Sequence, residues 1–133
     1  MQHVNTEIVW LTLTLLMTGL FWIPYILNRM HEYGIWPALY NPQPDTQPKA
    51  QWAERMMRAH TNAVENLVIF APLVLAIEIS GINSHVTATA CIVYFFARLS
   101  HFILYSLKVP FFRTVAFLIG FICQMTLALT LLN

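Results

Sequence analysis

"RMMRAHTNAVENLVIF" (residues 55–70) passes in one short stretch from arginines and a histidine, through an asparagine and a glutamate, into an apolar run. At about 100° per residue, Arg58, Asn62 and Glu65 occupy positions i, i+4 and i+7. They fall within about 60° of one helix face, with His60 pointing elsewhere. The run continues from Ala63 to Ser80, interrupted only by Glu65 and Glu78. The stretch therefore reads as the mouth of a membrane helix with a polar stripe along one side.

The rest of the chain supports a membrane setting. Of its 133 residues 58% are hydrophobic and only 10% charged, too apolar for an ordinary soluble domain. Crossing a hydrocarbon core of about 30 Å takes roughly 20 residues in a helix. Four segments meet or nearly meet that length: Ile8–Leu27, Ala63–Ser80, Val86–Leu107 and Thr114–Leu132. With their flanks they predict helices over 6–29, 49–80, 85–107 and 111–132, and a single loop over 30–48. The start, "MQHVNTE", has no basic region and carries Glu7, so the first segment reads as a retained helix and not as a cleaved leader.

Proline and polar residues fill "HEYGIWPALYNPQPDTQPKAQWAER" (residues 31–55), the only long loop, and place Pro48 near the first turn of helix two. "SGINS" (80–84) and "KVPFFR" (108–113) are short turns, which make successive helices antiparallel neighbours. The expected fold is all-α, an integral membrane four-helix bundle in one domain over 1–133. Arg29, Lys49, Arg55 and Arg58 lie in or beside the first loop, and Lys108 and Arg113 flank the third. The positive-inside rule then puts loops one and three in the cytosol and both termini outside. Trp10, Trp22, Trp36 and Trp52 fall near helix ends or in the loop, as interfacial aromatics do.

Segment three has a stripe of its own: Arg98, His101 and Tyr105, at i, i+3 and i+7. Counted from the turn at about residue 82 with about 1.5 Å of rise per residue, Glu65 and Arg98 lie about 26 Å and 24 Å along their helices, nearly level. Two readings follow from the spacing. In one, Glu65 and Arg98 form an ion pair that pins the hairpin, and the other polar groups reach to the interface. In the other, the cations outnumber the single carboxylate because the stripes hold an anionic ligand.

Other chemistries find little support. The net charge of +1 gives no basic surface for nucleic acid. There is no HExxH pattern and His101 has no second ligand at metal spacing, so no metal site is expected. No Gly-rich phosphate loop or serine triad is recognisable. Cys91 and Cys123 sit in apolar segments as small core residues, and Glu7 and Glu78 read as interfacial charges at the outer ends of helices one and two.

"ERMMRAHTNAVENLVIFAP" closely resembles the second-helix signature of the MAPEG family, membrane-associated proteins in eicosanoid and glutathione metabolism, approximately ERxxRAHxNxxExxxxF. "YFFARLSHFILYSLKVPFFR" resembles the family's third-helix pattern, an arginine followed at i+7 by a tyrosine. The resemblance implies a homotrimer that binds glutathione near the cytosolic side. It assigns Arg58, Asn62, Glu65, Arg98 and Tyr105 to glutathione, with His101 on the same stripe and Arg29 as a further arginine at the end of helix one. Arg113 would stand beside the cofactor sulfur and favour its thiolate. Thr61 and Phe117 depart from the arginine and tyrosine of some members, removing one ligand contact and one hydrogen bond.

The expected function is a membrane-bound glutathione transferase or peroxidase acting on lipophilic electrophiles or hydroperoxides that arrive through the bilayer, in the cell inner membrane if the source is bacterial. The alternative is a non-catalytic lipid-binding or scaffold member of the same fold. An unrelated small membrane protein such as a transporter subunit is disfavoured by the absence of repeats and broken helices.

Overall fold

The apolar segments fold as helices whose ends are set by proline, glycine and hydroxyl caps. The computed structural model describes residues 3–40 and 47–133, and its helices are α1 (Thr6–Leu20), α2 (Ile23–Tyr33), α3 (Ile35–Tyr40), α4 (Gln51–Ser80), α5 (His85–Ser106) and α6 (Pro110–Leu132). No strand occurs among the described residues. Four spans are long and apolar enough to cross a membrane: Thr6–Tyr33, Gln51–Ser80, His85–Ser106 and Pro110–Leu132.

The first span differs from the single helix expected over 6–29. It breaks at Phe21–Trp22 and resumes with Pro24 in the first turn of α2. Proline has no amide hydrogen and its ring crowds the carbonyl four residues earlier, here Leu20, so α1 cannot run through it. α2 then continues to Tyr33, beyond the expected end. Within the expected loop, Gly34 turns the chain at φ 86° and the short helix α3 follows. Loop residues 41–46 lie outside the described residues. Pro72 sits inside α4, a placement that membrane helices tolerate when neighbours satisfy the freed carbonyl.

The two tight turns show how antiparallel packing is fixed. After α4, Gly81 adopts φ 67°, and Ser84 and Thr87 form a reciprocal capping box that starts α5. After α5, Lys108 takes the left-handed φ of 63°, Val109 N–H donates to Leu104 O at 2.9 Å, and Pro110 opens α6. The Arg55 side chain reaches across from α4 to donate to Ser106 O at 2.9 Å, closing the carboxyl end of α5.

α5 is the central helix, packed against α1, α4 and α6. Towards the Gly81 turn the core is built from Leu11, Phe70, Val74, Ile77, Cys91, Tyr94, Cys123 and Leu127; towards the other end it is Phe21, Ala59, Ala63 and Phe102. Ring pairs Phe70–Tyr94 and Phe21–Phe102 stack with centroids 3.7 Å apart in each layer.

Glu7 departs from its expected place as an interfacial charge. It is only 3% exposed, and the Thr87 hydroxyl donates to its carboxylate at 2.5 Å. Burial becomes tolerable because the carboxylate has a donor beside the start of α5. Glu78 accepts from Asn5 at 2.7 Å and from Asn83 at 2.9 Å, so both outer carboxylates tie the helix ends together.

Candidate functional site

A groove of about 450 Å³ opens where α4 faces the end of α5, lined by Gln47, Glu54, Met57, Arg58, Thr61, Asn62, Glu65 and Tyr105. Its floor is the predicted stripe of α4. Arg58, Asn62 and Glu65 all line it, while His60 is turned away and pairs through Nδ1 with the Tyr25 hydroxyl at 2.7 Å.

Of the two readings of the stripes, the one that pairs Glu65 with Arg98 is not met. Arg98 is 2% exposed, and its Nη2 donates to Asn62 Oδ1 at 2.6 Å. Glu65 is exposed at the groove. The shift of register is about one helical turn, because packing brings Arg98 level with Asn62 and not with Glu65. A rise count from the turn neglects the tilt and rotation that packing imposes on each helix.

Among the described residues, Arg98 is thus a buried cation with no carboxylate bound to it. Its Nη2 also lies 3.4 Å from His101 Nδ1, while its Nε has no partner. Tyr94, one turn earlier on α5, likewise has a hydroxyl without a partner. Gly120 on α6 packs beside both: a Cβ there would lie 3.5 Å from Arg98 Cδ and 3.7 Å from the Tyr94 ring, in ordinary van der Waals contact. Because Asn62 Oδ1 accepts from Arg98, its amide nitrogen is left to donate. Arg98 therefore faces the groove from behind Asn62.

His101 is 5% exposed, and its ring lies 5.6 Å from that of Tyr105 and 6.1 Å from that of Phe117. Arg113, from the first turn of α6, holds its guanidinium 4.9 Å from the centroid of the Tyr105 ring. Arg58, Asn62, Glu65, Arg98, His101, Tyr105 and Arg113 are therefore brought to one region by α4, α5 and α6. Arg29 is not: it lines a separate small cavity of about 30 Å³ with Tyr25, Ile26, Glu32, Tyr33, Pro48 and Met57.

Sequence reading missed Glu54, whose carboxylate binds Arg58 at 2.9 Å and holds it over the groove. The i, i+4 spacing within "ERMMR" was the available signal. It also missed Tyr94, although that residue continues the Arg98–His101–Tyr105 face. Gly120 and Gln124, which donates to Asn66 O at 3.0 Å, carried no local signal. No group of three or more metal-ligating side chains occurs among the described residues.

Four apolar spans with a polar groove at one end define a multi-pass integral membrane protein. The MAPEG family model matches residues 8–133, nearly the whole chain. The chain belongs to the MAPEG family, and so to the membrane proteins of glutathione and eicosanoid metabolism. A search of curated proteins finds no match.

Proposed function

We propose that this chain is a glutathione-dependent transferase or peroxidase that acts on lipophilic electrophiles or hydroperoxides within the membrane. The observation that carries the reading is the groove itself. The exposed Glu65 carboxylate shares it with Arg58, which Glu54 holds at 2.9 Å, and with the free amide donor of Asn62, with Arg113 at the edge over Tyr105. Glutathione has an ammonium for Glu65 and carboxylates for Arg58 and Asn62. Arg98 acts through Asn62, adding positive charge from behind.

In this reading glutathione enters from the cytosolic side, where the basic loops lie. Arg113 stands near the sulfur, its guanidinium favours the thiolate, and the thiol proton leaves to solvent. The thiolate attacks an electrophilic carbon and the leaving group departs with its electron pair; with a hydroperoxide it attacks the distal oxygen and the alkoxide leaves. A homotrimer fits this reading, as in the family it belongs to: the groove lies open along a face of α4, where a neighbouring copy would close it.

Conjugation of glutathione to a chlorodinitrobenzene-type electrophile by the purified protein tests this. The expected outcome is turnover above the uncatalysed rate, lowered at least tenfold in Arg113→Ala with glutathione still bound. The absence of both glutathione binding and turnover would favour the second reading, a non-catalytic lipid-binding or scaffold protein in which glutathione plays no part. Phe117 supports that alternative, because it offers no hydroxyl near the expected position of the sulfur.

A further inference from the structure

The short helix α3 has an outward face unlike that of a water-exposed loop. On a helical wheel Ile35, Leu39, Trp36 and Tyr40 lie at about 0°, 40°, 100° and 140°, so its four large side chains share one face. All four are exposed, at 60%, 58%, 67% and 78% respectively. Ala38, on the opposite side, is the only residue of α3 that is partly covered. α3 carries no charge, and its packing within the chain is against α2. The large apolar groups therefore point away from the protein, the reverse of a helix seated on a core.

Its level relative to the membrane can be counted in two ways. The apolar part of the first span ends at Leu27, and the six residues from there to Tyr33 rise about 9 Å. On α4, the roughly 20 residues needed to cross the hydrocarbon, counted back from Ile77, end near Met57, which leaves the start of α4 about 9 Å outside. The two ends are tied together: Glu32 accepts from the Lys49 and Ala50 amides, both at 3.1 Å. Both counts put the end of α2, from which the chain turns into α3, at about the outer limit of a headgroup band about 5–8 Å deep. Gly34, with its φ of 86°, lets the chain leave the axis of α2 at that point.

We infer that α3 lies in the plane of the membrane and seats its Ile35–Trp36–Leu39–Tyr40 face in the headgroup boundary of the leaflet on the loop-one side. The partner is the lipid surface. Amphipathic tryptophan and tyrosine rings favour this layer, the face carries no charge, and Arg29 and Lys49 flank α3 in the sequence with charge suited to anionic headgroups. The stacked Trp36 and Tyr40 rings, 5.6 Å apart, present one broad aromatic surface. The inference needs the membrane spans but is independent of glutathione.

Fluorescence of the full-length protein in vesicles of phosphatidylcholine and phosphatidylglycerol tests it. The Trp36 signal is taken as the difference between the unaltered chain and Trp36→Ser, so the packed tryptophans stay in place. Lipids brominated near the headgroup are expected to quench that signal at least twofold more than lipids brominated near the chain end, and aqueous iodide only weakly. Strong iodide quenching without lipid quenching would overturn the inference by placing α3 in water. Protection from both quenchers would overturn it in favour of cover by a second copy. A variant retaining only Trp36, with the other tryptophans changed to phenylalanine, repeats the measurement directly.

Discussion

Arg98 and its partners show how much of the site depends on single contacts. Its short hydrogen bond to Asn62 is charge-assisted and buried, a type worth about 1.5–3 kcal/mol. Arg98→Ala and Asn62→Ala are therefore expected to be non-additive in a double-mutant cycle of thermal stability in detergent, with a coupling of at least about 1 kcal/mol. A cycle that closes within about 0.3 kcal/mol would deny the contact. By contrast, the Glu54–Arg58 pair is largely solvent-exposed, so Glu54→Ala is expected to change stability by less than about 0.5 kcal/mol. Its effect belongs instead in ligand affinity, through the lost restraint on Arg58. The sequence alone brought Arg58, Asn62 and Glu65 to one face because helical spacing is local. Of the two readings left open for Arg98, the ion pair with Glu65 does not form, because the register of α4 against α5 is set by side-chain packing such as the Phe70–Tyr94 stack, which no spacing rule encodes.

At the scale of the elements, the turns carry measurable consequences. Lys108 holds a left-handed conformation that costs an L residue about 1–2 kcal/mol, so Lys108→Gly is expected to raise the thermal midpoint, by up to about 1 kcal/mol of stability. Thr87→Val removes the Thr87 half of the α5 capping box and the donor to buried Glu7, while Ser84 Oγ still accepts from the residue 87 amide; a loss of about 2–3 kcal/mol is expected in the same assay. "SGINS" and "KVPFFR" disclosed their turns through glycine, serine and proline. The break at Phe21–Trp22 was also announced, by Pro24, yet the unbroken apolar run concealed it. The helical character of "IWPALY" was obscured because Pro37 and neighbouring loop prolines read as punctuation.

For the whole molecule, membership of the MAPEG family agrees with four spans and a groove at one end. Glu65 gives the single chain an exposed carboxylate within a span, and an ionised group left facing lipid is costly. In the proposed glutathione-binding trimer, a neighbouring copy and a bound ammonium would relieve that cost together. Light scattering of the detergent-solubilised protein is accordingly expected to give three times the chain mass of 15.3 kDa. The central claim, that Arg58, Asn62 and Glu65 form a glutathione site, is tested most directly by calorimetric titration of glutathione into the purified protein. The expected result is saturable binding below millimolar concentration that falls at least tenfold in Glu65→Gln. The absence of binding heat at millimolar glutathione, or undiminished binding by Glu65→Gln, would contradict it.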